Sequence, residues 1–242
     1  MTVSTRSAPR FAGQQPPHVR RRSRLRTLLV ALVLVALGVL GGWVLLGSSL
    51  LGVSGVAVEG TSRVPPGQVL DVAAIKSGTP LARLDTAAVA ARVAALPAVR
   101  TVDVRRSWPR AVSIVVRERV PAAVRVHGTG FVLVDRSGVA FAEVARRPKD
   151  LPLVTAPIGA GAPALRSGLD VLGSVPASVR GQVRTVFAAS TEDVRLSLTK
   201  GRTVLWGTTE RGARKGAVLA VLLSRKATVY DVSAPDAPTT RK

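Results

Sequence analysis

The nearest approach to paired acid–base machinery in this sequence is Glu192-Asp193, which stands directly before the apolar-alternating run Val194 to Leu198. Two carboxylates divide acid and base roles when their surroundings drive their pKa values apart. At the mouth of a strand, carboxylates also hold turns by accepting backbone N–H groups, and that is the simpler use here. The two histidines are far apart: His18 lies in an Arg-rich stretch, and His127 precedes the turn Gly128-Thr129-Gly130. A metal site needs several ligands at short spacing, which neither supplies. Cysteine is absent, which removes disulfides, thiol nucleophiles and thiolate-bound metals together. There is no Gly-x-Ser-x-Gly elbow, and Gly159-Ala160-Gly161 runs into Pro163 without a strand–loop–helix phosphate frame. The sequence therefore predicts no catalytic set and no cofactor. A last cluster, Arg105-Arg106-Ser107-Trp108-Pro109-Arg110, interleaves Arg with Trp as some single-stranded nucleic-acid surfaces do. Between two Val-rich runs it reads instead as a hairpin turn, with Trp108 expected to cap the sheet core.

The charge distribution also argues against nucleic acid. The net charge is +21, but seven of the 35 basic residues are arginines before Leu28, a stretch without acidic residues. The other 28 stand against 14 acidic residues, all at or beyond Glu59. From Thr27 to Val58 no side chain is charged. The apolar part, Leu28 to Leu46, matches the roughly 20 residues that cross a bilayer, and Trp43 sits where an indole favours the interface. A cleavable signal would have an apolar region of only about 7–15 residues. Dense Arg from Arg20 to Arg26 fixes that end in the cytoplasm. The chain is thus expected to be a single-pass membrane protein of type II. Residues 1–26 form a disordered basic cytoplasmic tail, 27–47 the transmembrane helix, and the remainder an α+β extracytoplasmic region. A basic outer region suits contact with anionic lipid or wall polymers.

Two units follow. In 53–121, Val53 to Glu59 alternates as a strand, and Pro65-Pro66 open a helix with Val69, Val72 and Ala73 on one face. Asp85 precedes a second helix with Val89, Val93 and Leu96 in register. Val99 to Arg106 and Val112 to Val120 are then an antiparallel pair, giving the order β-α-α-β-β. The second unit, 122–233, is β-rich. Its strands are placed at Val124 to Val126, Phe131 to Val134, Val139 to Phe141, Val183 to Phe187, Val194 to Leu198, Thr203 to Trp206 and Lys226 to Val232. Helices are placed at Ala164 to Leu172, Val175 to Val183 and after Thr209, and Arg146 to Pro152 reads as a loop. The tail 234–242 contains Pro235 and Pro238 and is expected to be mobile.

The local motifs now carry a resemblance. Val102-Asp103-Val104-Arg105-Arg106-Ser107-Trp108-Pro109, then Glu118-x-x-Pro121-x-Ala123, then Leu133-Val134-Asp135-x-x-Gly138-x-x-Phe141 resemble the FtsQ/DivIB bacterial cell-division proteins. The first unit looks like their POTRA domain and the second like their β-rich domain. Val229-Tyr230-Asp231-Val232-Ser233-Ala234-Pro235 resembles members from GC-rich Gram-positive bacteria. The resemblance implies a non-enzymatic assembly protein of the division septum. Its partners would be the small bitopic proteins FtsB (DivIC) and FtsL and, through them, the septal peptidoglycan synthase. A strand followed by Pro is a natural sheet edge, so Thr228, Val229, Tyr230, Asp231, Val232, Ser233 and Ala234 are expected to receive a partner strand. Tyr230 and Val232 would then share one face. A second contact through Val102, Val104, Arg106 and Trp108 is expected on the POTRA-like unit. Two other classes compete: a POTRA-bearing translocation or assembly factor, which would need a barrel or repeated units, and a membrane-anchored wall-modifying enzyme, which would have to work through Glu192 and Asp193.

Overall fold

The computed structural model describes residues 18–47 and 51–242. α1 (His18–Gly47) is one 30-residue helix. Its window Arg26–Trp43 has a mean hydropathy of 2.0 and none of it is buried, the one such span among the described residues. Its start corrects the boundary expected for the tail. Helix extends back to His18 because Arg is a good helix former and prolongs a helix that the apolar run has already nucleated. The rest of the tail expected to be disordered, 1–17, lies outside the described residues.

Beyond the span come β1 (Gly55–Glu59), α2 (Pro66–Ala73), α3 (Thr86–Ala94), β2 (Val99–Ser107) and β3 (Ala111–Glu118), in the predicted order. The three strands lie as β1-β3-β2, which makes β3 the central one. That position explains its alternation: Val112, Ile114 and Val116 are buried, as are Val69, Ala73, Val89 and Val93 on the facing stripes of the two helices. Glu118, at the end of β3, accepts the backbone N–H groups of Ser62 (2.7 Å), Arg63 (2.8 Å) and Val64 (2.9 Å). Burial alone would raise its pKa, but those three donors and the Arg63 charge outweigh it and hold the carboxyl below its usual range.

The second unit comprises β4 (Pro121–His127), β5 (Gly130–Asp135), β6 (Ala140–Val144), β7 (Leu153–Thr155), α4 (Gly161–Ser174), α5 (Ala177–Arg180), β8 (Val183–Ala188), β9 (Val194–Leu198), β10 (Thr203–Gly207), α6 (Gly212–Leu222), β11 (Val229–Asp231) and β12 (Thr239–Arg241). All nine strands join one sheet in the order β12-β11-β10-β9-β8-β7-β4-β5-β6. Leu169, Val171 and Leu172 of α4 and Leu219 and Leu222 of α6 share its main core with Val186, Leu196, Val204 and Trp206. Gly168 permits the close approach of α4: a Cβ there would stand 3.2 Å from Val186 and 3.4 Å from Ala188.

Several sequence expectations shift. β7 was not anticipated, being too short to show a period. α6 is not capped by Thr209; it starts at Gly212 after Arg211, which takes a left-handed φ of 54°. Beneath its first turn Lys215 is buried, its Nζ donating to the carbonyl oxygens of Trp206 (3.1 Å) and Thr208 (2.9 Å). The tail 234–242 is also not the free end expected. Pro235 and Pro238 fall in the turn that leaves β11, and the β-branched pair Thr239-Thr240 then comes back as β12.

Candidate partner-binding edge

β11 is flanked on both sides. It runs parallel to β10, with Val204 opposite Tyr230 and Leu205 opposite Asp231. On its other side it is antiparallel to β12, with Val229 opposite Arg241, Tyr230 opposite Thr240 and Asp231 opposite Thr239. Backbone bonds extend the pairing beyond the strand: Thr203 N–H to Thr228 O and Val232 N–H to Leu205 O on one side, Thr228 N–H to Arg241 O on the other. The segment 228–234 therefore is not the open edge expected of it. The backbone groups of β11 are taken up by β10 and β12, and among the described residues the unpaired row belongs to β12, whose Thr239 and Arg241 are exposed.

The expected face division of β11 does hold. Tyr230 and Val232 point into the main core, 1% and 0% exposed, and the Tyr230 hydroxyl donates to Arg225 O at 2.8 Å. Asp231 lies on the other face, where its carboxylate accepts from Ser233 N–H (3.0 Å) and Ser233 Oγ (2.6 Å). These two bonds form a local turn that directs the chain out of β11. In that turn Asp236 accepts from Arg211 (2.6 Å) and Arg214 (2.5 Å) of the α6 region. The hydrogen bond from Arg211, joined by the charges of both arginines, outweighs the opposing effect of burial and holds the Asp236 carboxyl below its usual range. The clamp fixes where β12 begins. The sequence held no readable signal for it, because Asp236 is more than twenty positions from the two arginines at the start of α6 that hold it.

The residues expected to make a second contact lie along β2, as Val102, Val104 and Arg106, and in the turn after it, as Trp108. Val102 and Val104 are half-buried on β2. Arg106 spends its guanidinium on the carbonyl oxygens of Leu81 (3.0 Å) and Leu84 (2.7 Å). Trp108 does not cap the core: it is 54% exposed. Glu192 and Asp193 sit in a turn where both backbone N–H groups donate to Ser190 Oγ, and Asp193 is held by Arg195 at 2.7 Å. His127 faces Glu143 at 3.4 Å, across the β4–β5–β6 end of the sheet.

The motif residues acquire structural reasons. Asp135 is nearly buried, and it accepts from Arg119 (2.7 Å), Ser137 N–H (2.9 Å), Ser137 Oγ (2.6 Å) and Val139 N–H (3.0 Å). Arg119 in turn donates to Pro97 O at 3.1 Å, so one ion pair ties the end of β3 to the β5–β6 turn.

The sequence has known counterparts. The description "POTRA domain, FtsQ-type" matches residues 51–119, and "Cell division protein FtsQ/DivIB, C-terminal" matches residues 122–233. Cell division protein FtsQ of Streptomyces coelicolor is 40% identical over 255 residues, covering 98% of this chain and 97% of that protein. FtsQ of Mycolicibacterium smegmatis is 42% identical over 185 residues, 76% of this chain and 55% of that one. FtsQ of Mycobacterium tuberculosis is 40% identical over 184 residues, 75% and 58% of the two chains. The chain thus spans little more than half the length of these mycobacterial relatives and nearly all of the Streptomyces one. A solved structure of the major extracytoplasmic domain of DivIB from Geobacillus stearothermophilus aligns with 46% of this chain and 98% of its own, at 20% identity and a TM-score of 0.34. The full-length Streptomyces relationship and the two contiguous family matches carry the assignment: this chain belongs to the FtsQ/DivIB family of bacterial cell-division proteins.

Proposed function

We propose that this chain is a membrane-anchored, non-enzymatic assembly protein of the division septum. Its N-terminus lies in the cytoplasm and both folded units lie outside. It binds FtsB/DivIC-like and FtsL-like bitopic proteins, and through them helps to recruit and regulate the septal peptidoglycan synthase. The orientation is supported by the arginines crowded at the N-terminal end of α1. The observation that carries the binding role is the edge at β12. A nine-stranded sheet whose last strand is short and exposed offers backbone groups to an incoming extended segment.

Two measurements test this. A fluorescent fusion in dividing cells should concentrate at the septum, and uniform membrane signal would count against the division role. For the edge, Val232→Pro is a poor probe, since Val232 is fully buried and its N–H bonds to Leu205 O. Thr240→Pro, in the middle of β12, is the better one. It should weaken binding of the FtsB/DivIC-like partner about tenfold, as expected for one or two lost backbone hydrogen bonds. Unchanged affinity would remove β12 from the interface.

A further inference from the structure

Trp108 is the unexplained residue of the first unit. An indole that is 54% exposed, at the tip of a hairpin, is not a core residue. Its surroundings show where it is held. The segment that follows the span is pinned to that hairpin: Ser54 N–H donates to Arg110 O at 2.8 Å, and Arg110 Nε reaches Gly52 O at 3.4 Å. The same segment is pinned to the 76–80 loop, with Val53 N–H donating to Thr79 O at 2.9 Å and Gly78 N–H to Val53 O at 2.8 Å. The approach is so close that a Cβ on Gly52 would stand 2.6 Å from Gly78 O. The other side of the hairpin is tied by Arg106 to the 3-10 turn Leu81–Arg83, which itself lies alongside α1. Gly47 ends the helix and Gly52 is five residues on, a reach of at most about 18 Å.

From this we propose that the membrane-proximal end of the first unit docks on the bilayer that holds α1. Trp108 enters the headgroup layer at the C-terminal end of that helix, and Lys76, Arg83 and Arg110 contact lipid phosphates. The chemistry fits the place. An indole prefers the polar–apolar boundary, as Trp43 does at the end of the span itself. Lys76, Arg83 and Arg110 have no carboxylate within 4.0 Å among the described residues, so their charge is available to anionic headgroups. Exposed Arg and Lys stems also lie comfortably along the acyl boundary with their charges in the headgroups. The inference rests on α1 spanning a bilayer and is independent of any division partner.

The test uses the full chain in nanodiscs of mixed phosphatidylglycerol and phosphatidylcholine. Emission from wild type minus that from Trp108→Phe isolates Trp108, since Trp43 and Trp206 are common to both. A nitroxide at the lipid headgroup should remove about half or more of the Trp108 component, while aqueous iodide should barely reach it. Arg83→Glu with Arg110→Glu should cut that quenching at least about twofold in phosphatidylglycerol discs and much less in pure phosphatidylcholine discs. Unchanged far-UV circular dichroism shows that each variant remains folded. A Trp108 component open to iodide and untouched by the headgroup nitroxide would overturn the proposal, leaving the residue to a protein partner. Quenching indifferent to both charge reversals would overturn the role given to the cations.

Discussion

Asp135→Asn is the substitution whose cost can be worked most directly from the structure. Its side chain is 6% exposed and that of its partner Arg119 21%. Asparagine keeps the shape and an oxygen for the Ser137 and Val139 N–H groups, but it leaves the Arg119 guanidinium without a counter-charge. Breaking a fully buried ion pair costs about 3–5 kcal/mol. With Arg119 a fifth open to water, screening reduces this to about 2–3 kcal/mol. For a folded region of this size each kcal/mol lowers Tm by about 2–4 °C, so the expected drop is about 4–12 °C. Trp206, fully buried in the second unit, gives an emission signal for unfolding. The pH dependence follows from the direction of the shift. Burial alone would raise the Asp135 pKa, but hydrogen bonds from Ser137, Arg119 and Val139 outweigh it and hold the carboxyl below its ordinary 3.8. The stabilisation is therefore complete above the unfolded value and is lost as pH falls through the folded one. Wild type and variant should differ by a constant amount from neutrality down to about pH 5 and converge in stronger acid. A gap below about 0.5 kcal/mol at neutral pH, or one that widens in acid, would refute the role given to the pair.

Glu118→Ala should destabilise the first unit by about 2–3 kcal/mol in urea titration, because it leaves the N–H groups of Ser62, Arg63 and Val64 without their acceptor. Its carboxyl is also held low, so this contribution too should fade only as pH falls below the usual carboxylate range. Asp236→Ala should leave Tm nearly unchanged while speeding hydrogen exchange at the β12 amides, since Arg211 and Arg214 clamp the turn before that strand and nothing in the core. If β12 exchanges at the wild-type rate, the clamp does not set its position.

The elements with strong periods were readable from sequence. Val112, Ile114 and Val116 alternate cleanly because β3 is central, and Val89 and Val93 mark the buried stripe of α3. What could not be read were features made by long-range pairing. β7 has three residues and exists because β4 and β8 close on it from either side. The two prolines suggested a loose tail, yet they serve to end one strand and set up the next, because a proline outside the ladder costs no hydrogen bond. Trp108 was misplaced for a related reason. Its type says only that it favours an apolar body with a polar rim, and both a sheet core and a membrane boundary offer that. At the candidate site, the alternation of Tyr230 and Val232 was legible but the occupancy of the edge was not. Which strand lies outermost is decided by residues that follow the segment itself.

Moving the open edge from β11 to β12 changes what a partner would have to bring. β11 is held by core side chains and by pairing on both sides, so it cannot yield its backbone without disturbing Tyr230 and Val232. β12 is three residues long, and at about 1 kcal/mol for each net backbone hydrogen bond it offers an arriving strand only a few kcal/mol. That is too little to capture unrelated extended chains, which is the usual protection a short edge gives. A partner that binds firmly must therefore add side-chain contacts beyond the ladder. The basic groups beside the edge, Arg241 on the strand and Lys242 after it, favour one whose strand carries acidic residues. On the proposed function, backbone pairing sets the register and these flanking contacts set the choice of partner. Reversing the charge of Arg241 should therefore change which strands bind more than it changes how β12 folds.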